Sequence, residues 1–498
     1  MRSTRSIHTL SAQPTRRRAL LGTALAAASV SMAPARAQPT APTATSAATS
    51  AANATARPFT PALLSPRMRQ LQADLKAGHG TDSFWRHAAT HGTPLVEPGS
   101  NASEQLLTFL WRGASASTGP EGTRSVSVSW AMRSPDGFAL EQLPGSDVWF
   151  LTLRVPAGLH ASYQLVPNAN IPAGADRMAR ARAEDAVACA DPMNPLRWPH
   201  RPQRDLVGTE PWVERSALRL PGAPAVPWAD AGAPAAQGSV THWRHTAQRL
   251  TGPARERDVS LYLPAAAERL APGTLPLVVV FDREAYLDRV DLPAKLDALI
   301  AQQRMAPLAA LFVGNPTRAL RATELPCDPD FADYLALELL PWAQRQWPVL
   351  TTQAAHRVVT GSSYGGLASA WAAFRHPGVF GQVLALSGSF WWGPTNVPHL
   401  PGFERFGEGE WLTREFARAP RKPVRFFITA GLMEIALTGD GGGILDTSRH
   451  LRTVLQAKGY DVRYQEFAGG HDHYAWGDEL ARGLIALLGG PQQTPSHR

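Results

Sequence analysis

At 498 residues the chain exceeds one ordinary domain, and a composition of 44% hydrophobic and 18% charged residues with 15 tryptophans excludes general disorder. The formal charge of +8 is concentrated at one end: Arg2, Arg5, Arg16, Arg17, Arg18 and Arg36 precede every acidic residue, and without them 43 basic side chains face 41 acidic ones. That balance gives no case for a nucleic-acid partner. Two cysteines, Cys189 and Cys327, exclude a disulfide scaffold and are expected as free, buried thiols.

Residues 1–37 have the form of an export signal, with a basic start, an apolar stretch from 19 to about 32, and the small-residue site Ala35-Arg36-Ala37. Thr15-Arg16-Arg17-Arg18-Ala19-Leu20-Leu21 resembles a twin-arginine signal, which implies export to the periplasm after folding. The apolar stretch is shorter than the roughly 20 residues of a membrane span, and Pro, Gly or charge breaks every later apolar run, so no spanning segment is expected. Residues 38–60, almost entirely Ala, Thr, Ser and Pro, read as a flexible tether.

Leu63, Leu64, Met68, Leu71 and Leu75 are spaced for a helix over 61–77. Between about 105 and 167 the period changes to two, which predicts strands at 126–130, 147–155 and 161–166 within an immunoglobulin-like β-sandwich spanning 61–219. A Pro/Ala/Gly-rich linker at 220–238 follows. From 239 to 498 strands and helices alternate, with strands expected at 259–263, 275–281, 308–313, 357–360, 382–386, 424–429 and 462–467. This order predicts a doubly wound, mostly parallel sheet of the α/β-hydrolase type.

The chemistry centres on Thr360-Gly361-Ser362-Ser363-Tyr364-Gly365-Gly366, a Gly-x-Ser-x-Gly between an apolar strand and an Ala-rich helix. Such a nucleophile elbow projects the Ser363 hydroxyl above the sheet edge and places the Tyr364 N–H to stabilise an oxyanion. A serine needs an imidazole to take its proton, and Gly469-Gly470-His471-Asp472-His473 supplies two candidates, His471 and its rival His473. The orienting acid should follow the strand at 424–429; Glu434 is the first choice, with Asp440 and then Asp446 as alternatives. The loop Asp282-Arg283-Glu284 should give the second oxyanion donor, the Arg283 N–H. No His/Cys cluster has metal-site spacing, and no cofactor is expected.

The segment from about 275 to 487 resembles the enterochelin esterase family, within the esterase-D group of α/β-hydrolases. The resemblance rests on Val280-Phe281-Asp282-Arg283-Glu284, Arg321-Ala322-Thr323-Glu324-Leu325-Pro326-Cys327, Leu386-Ser387-Gly388-Ser389-Phe390-Trp391-Trp392 and Gly469-Gly470-His471-Asp472. Leu143-Pro144-Gly145-Ser146-Asp147-Val148-Trp149 and Asp191-Pro192-Met193-Asn194-Pro195 extend it to that family's N-terminal sandwich. The resemblance favours His471 over His473 as the base and implies hydrolysis of a catecholate trilactone siderophore of the enterobactin type, with iron as substrate cargo. Trp391 and Trp392 would then stack on catecholate rings and Arg321 would face the anionic ferric complex, whereas packing, and an Arg321–Glu324 pair, are the structural alternatives. Two features depart from the family pattern: an export signal where two-domain members are often cytoplasmic, and Arg283 where Gly is usual. A feruloyl or other carboxylic ester hydrolase with a carbohydrate-binding sandwich, and an inactive ligand-binding protein, are the competing readings.

Overall fold

The computed structural model describes residues 60–62, 64–113, 122–132, 137–198, 214–228, 237–394, 409–435 and 442–489. The export signal, nearly all of the tether, part of the linker and Asp440 lie outside these residues.

The C-terminal half is organised by strands that are buried on both faces. β12 (Leu277–Phe281), β13 (Ala309–Val313), β14 (Arg357–Ser362) and β15 (Gln382–Leu386) are buried at every position. Because side chains alternate along a strand, each of these apolar runs feeds two cores. Leu277, Val279, Phe281, Val359, Val383 and Ala385 pack on one side with helices Tyr364–Arg375, Trp411–Arg418 and Ile444–Ala457. Val278, Val280, Val358, Leu384 and Leu386 pack on the other with helices Leu292–Ala301 and His473–Leu488.

With β10 (Ser239–Thr246), β11 (Glu256–Leu263), β16 (Arg425–Gly431) and β17 (Asp461–Phe467), the sheet order is β10-β11-β13-β12-β14-β15-β16-β17. Pairing is antiparallel for β10–β11 and β11–β13 and parallel from β13 onward. The seven strands expected after 239 are therefore present. β10 is an edge strand of mostly exposed polar residues and left no hydrophobic trace in the sequence.

The N-terminal part forms two antiparallel sheets. One contains β1 (Thr60–Ala62), β2 (Leu95–Pro98), β3 (Glu104–Arg112), β5 (Glu141–Gln142) and β6 (Val148–Pro156). The other contains β4 (Val126–Trp130), β7 (His160–Pro167), β8 (Arg197–Trp198) and β9 (Arg215–Arg219), in the order β4-β7-β9-β8. Leu107 and Phe109 of β3, Val128 of β4, Leu153 of β6 and Tyr163 of β7 share one buried cluster. The helix expected over 61–77 is shorter: Thr60–Ala62 pairs with β6, and the helix runs Pro66–Lys76 from Ser65, whose Oγ accepts the Met68 N–H. A further helix, Asp82–His91, was not anticipated. Both cysteines are free, but Cys189 is only half-buried.

Candidate active site

The elbow is built by backbone sterics at the end of β14. Ser363 has φ 60° and ψ −121°, a conformation costly for a non-glycine residue, and helix Tyr364–Arg375 starts directly after it. The turn closes only because Gly361 has no side chain: a Cβ there would lie 2.9 Å from the Gly365 backbone. The Ser363 N–H donates to Leu386 O at 3.0 Å and its carbonyl accepts from the Ser389 N–H at 3.0 Å, tying the elbow to β15. Ser363 Oγ lies 3.4 Å from Ser389 Oγ, its side-chain hydrogen-bond partner in this structure. Tyr364 opens the helix, so its N–H stands at the positive end of the helix dipole.

The loops after β16 and β17 bring the candidate base and the candidate acid together. His471 Nδ1 lies 2.7 Å from Glu434 Oε1, and the carboxylate's other oxygen accepts the Gly431 N–H at 2.7 Å. Facing a carboxylate, Nδ1 must carry the proton, which leaves Nε2 as the basic nitrogen. The Glu434 side chain is 2% exposed and the imidazole 31%, so the acid is sealed while the ring keeps an open edge. Trp476 packs edge-on against His471, with ring centroids 4.6 Å apart, and its indole N–H donates to Ser387 Oγ at 2.9 Å. Through Ser387, just past the end of β15 beside the elbow, this tryptophan links the histidine loop to the serine loop.

Two of the alternatives, His473 and Asp446, go elsewhere. Burial, reinforced by Arg289 and Arg321 and opposed by Asp282, drives the His473 imidazole down to about 3, which leaves it too weak a base to draw a proton from a serine hydroxyl. Asp446 accepts the Gly443 N–H at the start of helix Ile444–Ala457 and pairs with Arg449.

Arg321 does not pair with Glu324. Its guanidinium holds Asp282 by two hydrogen bonds, while Glu324 is taken by the fully buried Arg257 at 2.6 Å. Burial pushes the Asp282 carboxyl up, but the charge and hydrogen bonds of Arg321, with smaller help from neighbouring groups such as Arg289, together hold it below its ordinary range. Asp282 has φ 56°, and Arg283 begins the helical turn after it, next to the elbow strand. The Arg283 side chain points away from the elbow, with Nε donating to Ser260 Oγ at 2.6 Å and the guanidinium on Glu284 and His242. The two tryptophans separate: Trp391 lies 5.9 Å from the Tyr364 ring, beside the nucleophile, whereas Trp392 packs on Trp411. Sequence reasoning missed Ser389 and Trp476; the first sits in a segment singled out for its tryptophans alone, and the second is one helical turn past His473. Among the described residues no group of three or more His, Cys, Asp or Glu could hold a metal ion, and no helix is long and apolar enough to cross a membrane.

Comparison with known proteins gives a consistent result. The esterase family model matches residues 251–487, and the model of the enterochelin esterase N-terminal region matches residues 106–229. The iron(III) enterobactin esterase of Dickeya dadantii (strain 3937) is 30% identical over 446 residues, covering 84% of this chain and 95% of the relative. The iron(III) salmochelin esterase of Escherichia coli O6:H1 is 30% identical over 438 residues, covering 84% and 97%. The crystal structure of the enterobactin esterase FES from Shigella flexneri in the presence of enterobactin superimposes with a TM-score of 0.59 at 26% identity, covering 82% of this chain and 98% of that one. Similarity of this depth across nearly the full length of the relatives shows that the chain belongs to the enterochelin esterase family and is a carboxylic ester hydrolase.

Proposed function

We propose that the protein hydrolyses the ester bonds of a catecholate trilactone siderophore and thereby releases its iron. The observation that carries the mechanism is the 2.7 Å pair between His471 and a sealed Glu434, which follow the carboxyl ends of parallel strands as the strained Ser363 does. Ser363 Oγ attacks a lactone carbonyl while His471 Nε2 takes its proton, and Glu434 holds the imidazolium that forms. The N–H groups of Tyr364 and Arg283 face the developing oxyanion. His471 returns the proton to the leaving alkoxide, and a water activated by the same nitrogen clears the acyl-enzyme. Trp391 offers a flat wall to a catecholate ring, and Arg321, its charge balanced by Asp282, offers the rest of its guanidinium as a hydrogen-bond donor to oxygens of the ferric complex. Iron enters as substrate cargo, and the chemistry assigned to these residues needs no cofactor.

The siderophore reading is supported by relatives whose names specify iron(III) enterobactin and salmochelin esterases. The paired N-terminal sheets are read as an immunoglobulin-like sandwich and the first 37 residues as a twin-arginine signal to the periplasm. The test is a substrate panel of iron-loaded and iron-free enterobactin, a feruloyl ester and p-nitrophenyl acetate, with chromatographic detection of the released acyl serine. Preference for the feruloyl ester, or inert enterobactin, defeats the siderophore assignment. For localisation, replacing Arg16, Arg17 and Arg18 with lysine should retain the protein in the cytoplasmic fraction, and unchanged export defeats the twin-arginine route.

A further inference from the structure

The loop that carries His471 is gripped by the N-terminal sheets at four points. The His160 N–H donates to Ala468 O at 3.0 Å, and the His471 N–H donates to Ala131 O at 3.0 Å. Ser162 on β7 donates its backbone N–H to one oxygen of Asp472 and its hydroxyl to the other, the latter at 3.1 Å. Asp472 also accepts the Tyr474 N–H at 3.0 Å, so one buried carboxylate fixes both the residue after His471 and the start of helix His473–Leu488. Ser162 is itself held, because Arg215 of β9 donates Nε to its Oγ at 2.8 Å and reaches Gln164 Oε1 and Ser129 O with the rest of the guanidinium. The approach of the two parts requires Gly470, where a Cβ would lie 2.7 Å from Ala131 O. The acid loop is gripped as well: Met433, the neighbour of Glu434, is buried in the core of the N-terminal sheets with Phe109 and Tyr163.

We infer that the N-terminal sheets are a positioning element of the catalytic centre, in which Ser162, braced by Arg215, clamps Asp472 and so aims the His471 imidazole at Ser363. This rests on the reading of His471 as the base. Three donors converge on a carboxylate that has no part in the proton transfer and that immediately follows the residue which does. A general base displaced by about 1 Å loses roughly a hundredfold in rate, so a loop at the sheet edge needs such bracing. Ser162 and Asp472 are positioning residues: they touch the base loop and act through it.

The test uses the full chain with Ser162→Ala, Ser162→Thr and Asp472→Asn, assayed on p-nitrophenyl acetate and by the rate at which a fluorophosphonate labels Ser363. The small ester reads the catalytic centre without any siderophore contact by the N-terminal sheets. The expected result is a kcat about tenfold lower for Ser162→Ala and about a hundredfold lower for Asp472→Asn, labelling slowed in parallel, KM within about twofold, and recovery in Ser162→Thr, which keeps the hydroxyl. Unchanged kcat and labelling in Ser162→Ala overturn the inference, as does a loss confined to KM. Should Asp472→Asn fail to fold, Ser162→Ala carries the test alone, since it keeps the backbone N–H on the carboxylate. Failure of the wild-type chain to react with the fluorophosphonate would instead strike the nucleophile assignment.

Discussion

Ser363 and the His471–Glu434 pair are held in place by different means. The serine stands at the centre of the eight-stranded sheet, after a strand buried at all six positions, and its turn is fixed by neighbours from β14, β15 and its own helix. His471 and Glu434 follow the last two strands, where β17 is half exposed, and their loops lean on strands far away in the chain; Ser162 and Asp472 are 310 residues apart. Local backbone sterics suffice for Ser363, whereas His471 depends on tertiary contacts between two regions of the chain. Changes at the elbow should therefore affect chemistry and leave the rest of the molecule undisturbed, while changes at the edge should register elsewhere too.

The largest effect is expected at the centre. Ser363→Ala should lower kcat by at least about a thousandfold with an unchanged melting temperature, as removal of a nucleophile does. Ser363→Gly should be equally inactive but more stable than Ser363→Ala by about 1 kcal/mol, because glycine relieves φ 60°. Thermal melting of the two variants side by side checks this, and equal stability would show that the turn stores no strain. At the edge, Glu434→Gln should lower kcat by about a hundred- to a thousandfold with little change in KM. It removes the charge behind the imidazolium and sets an amide NH2 against one of the two donors the carboxylate served, the Gly431 N–H or the His471 Nδ1–H. Steady-state kinetics on p-nitrophenyl acetate reads both, and a Glu434→Gln variant with wild-type kcat would dissolve the pairing of acid and base.

The same contrast explains what could be read from the residues alone. The elbow was legible because its determinants are contiguous: an apolar strand, two glycines about a serine, and a small-residue helix. Glu434 and His471 could be named from chain order, but their bracing could not. Asp472 looks like any loop acid, Ser162 is one more small residue in a strand, and only the folded chain brings them together. Arg321 and Glu324 show the limit from the other side. At helical spacing they invite a local pair, yet each takes a distant partner, because Asp282 and Arg257 are the buried charges that need neutralising. β10 escaped notice because an exposed edge strand carries no alternation of hydrophobic residues.

That buried ion pair gives the next sharpening of the comparison, within the central fold. Arg257 is fully buried, bonded to Glu324 and to the carbonyls of Gly314 and Ala254, and it lies over the rings of Phe331 and Tyr334. Glu324→Gln strands that guanidinium and should destabilise the protein by about 3 kcal/mol, since breaking a buried pair from one side leaves an uncompensated charge. Chemical denaturation measures the loss, and kcat of the folded fraction should remain near wild type. A comparable fall in kcat at temperatures well below melting would mean that the centre is less self-contained than its local geometry implies.

The smallest effect is expected on helix His473–Leu488, at the edge. Glu479 is fully buried, with Gln465 as its hydrogen-bond donor and Arg482 at 3.8 Å. Burial pushes its carboxyl up to about 7, with Arg482 opposing the rise and Asp478 adding to it. An unfolded glutamate titrates near 4.3, so between about 4.3 and 7 the folded chain binds more protons than the unfolded one. The slope of unfolding free energy with pH is then negative, and this group's contribution to stability is lost as pH rises through that window. Glu479→Gln supplies a permanently neutral side chain of the same shape. It should raise stability by about 1–2 kcal/mol at pH 8 and change little at pH 4.5. Melting curves of wild type and variant at the two pH values test the sign directly. A variant less stable at pH 8 would mean that the ionised carboxylate, paired with Arg482, contributes to holding the helix behind His471.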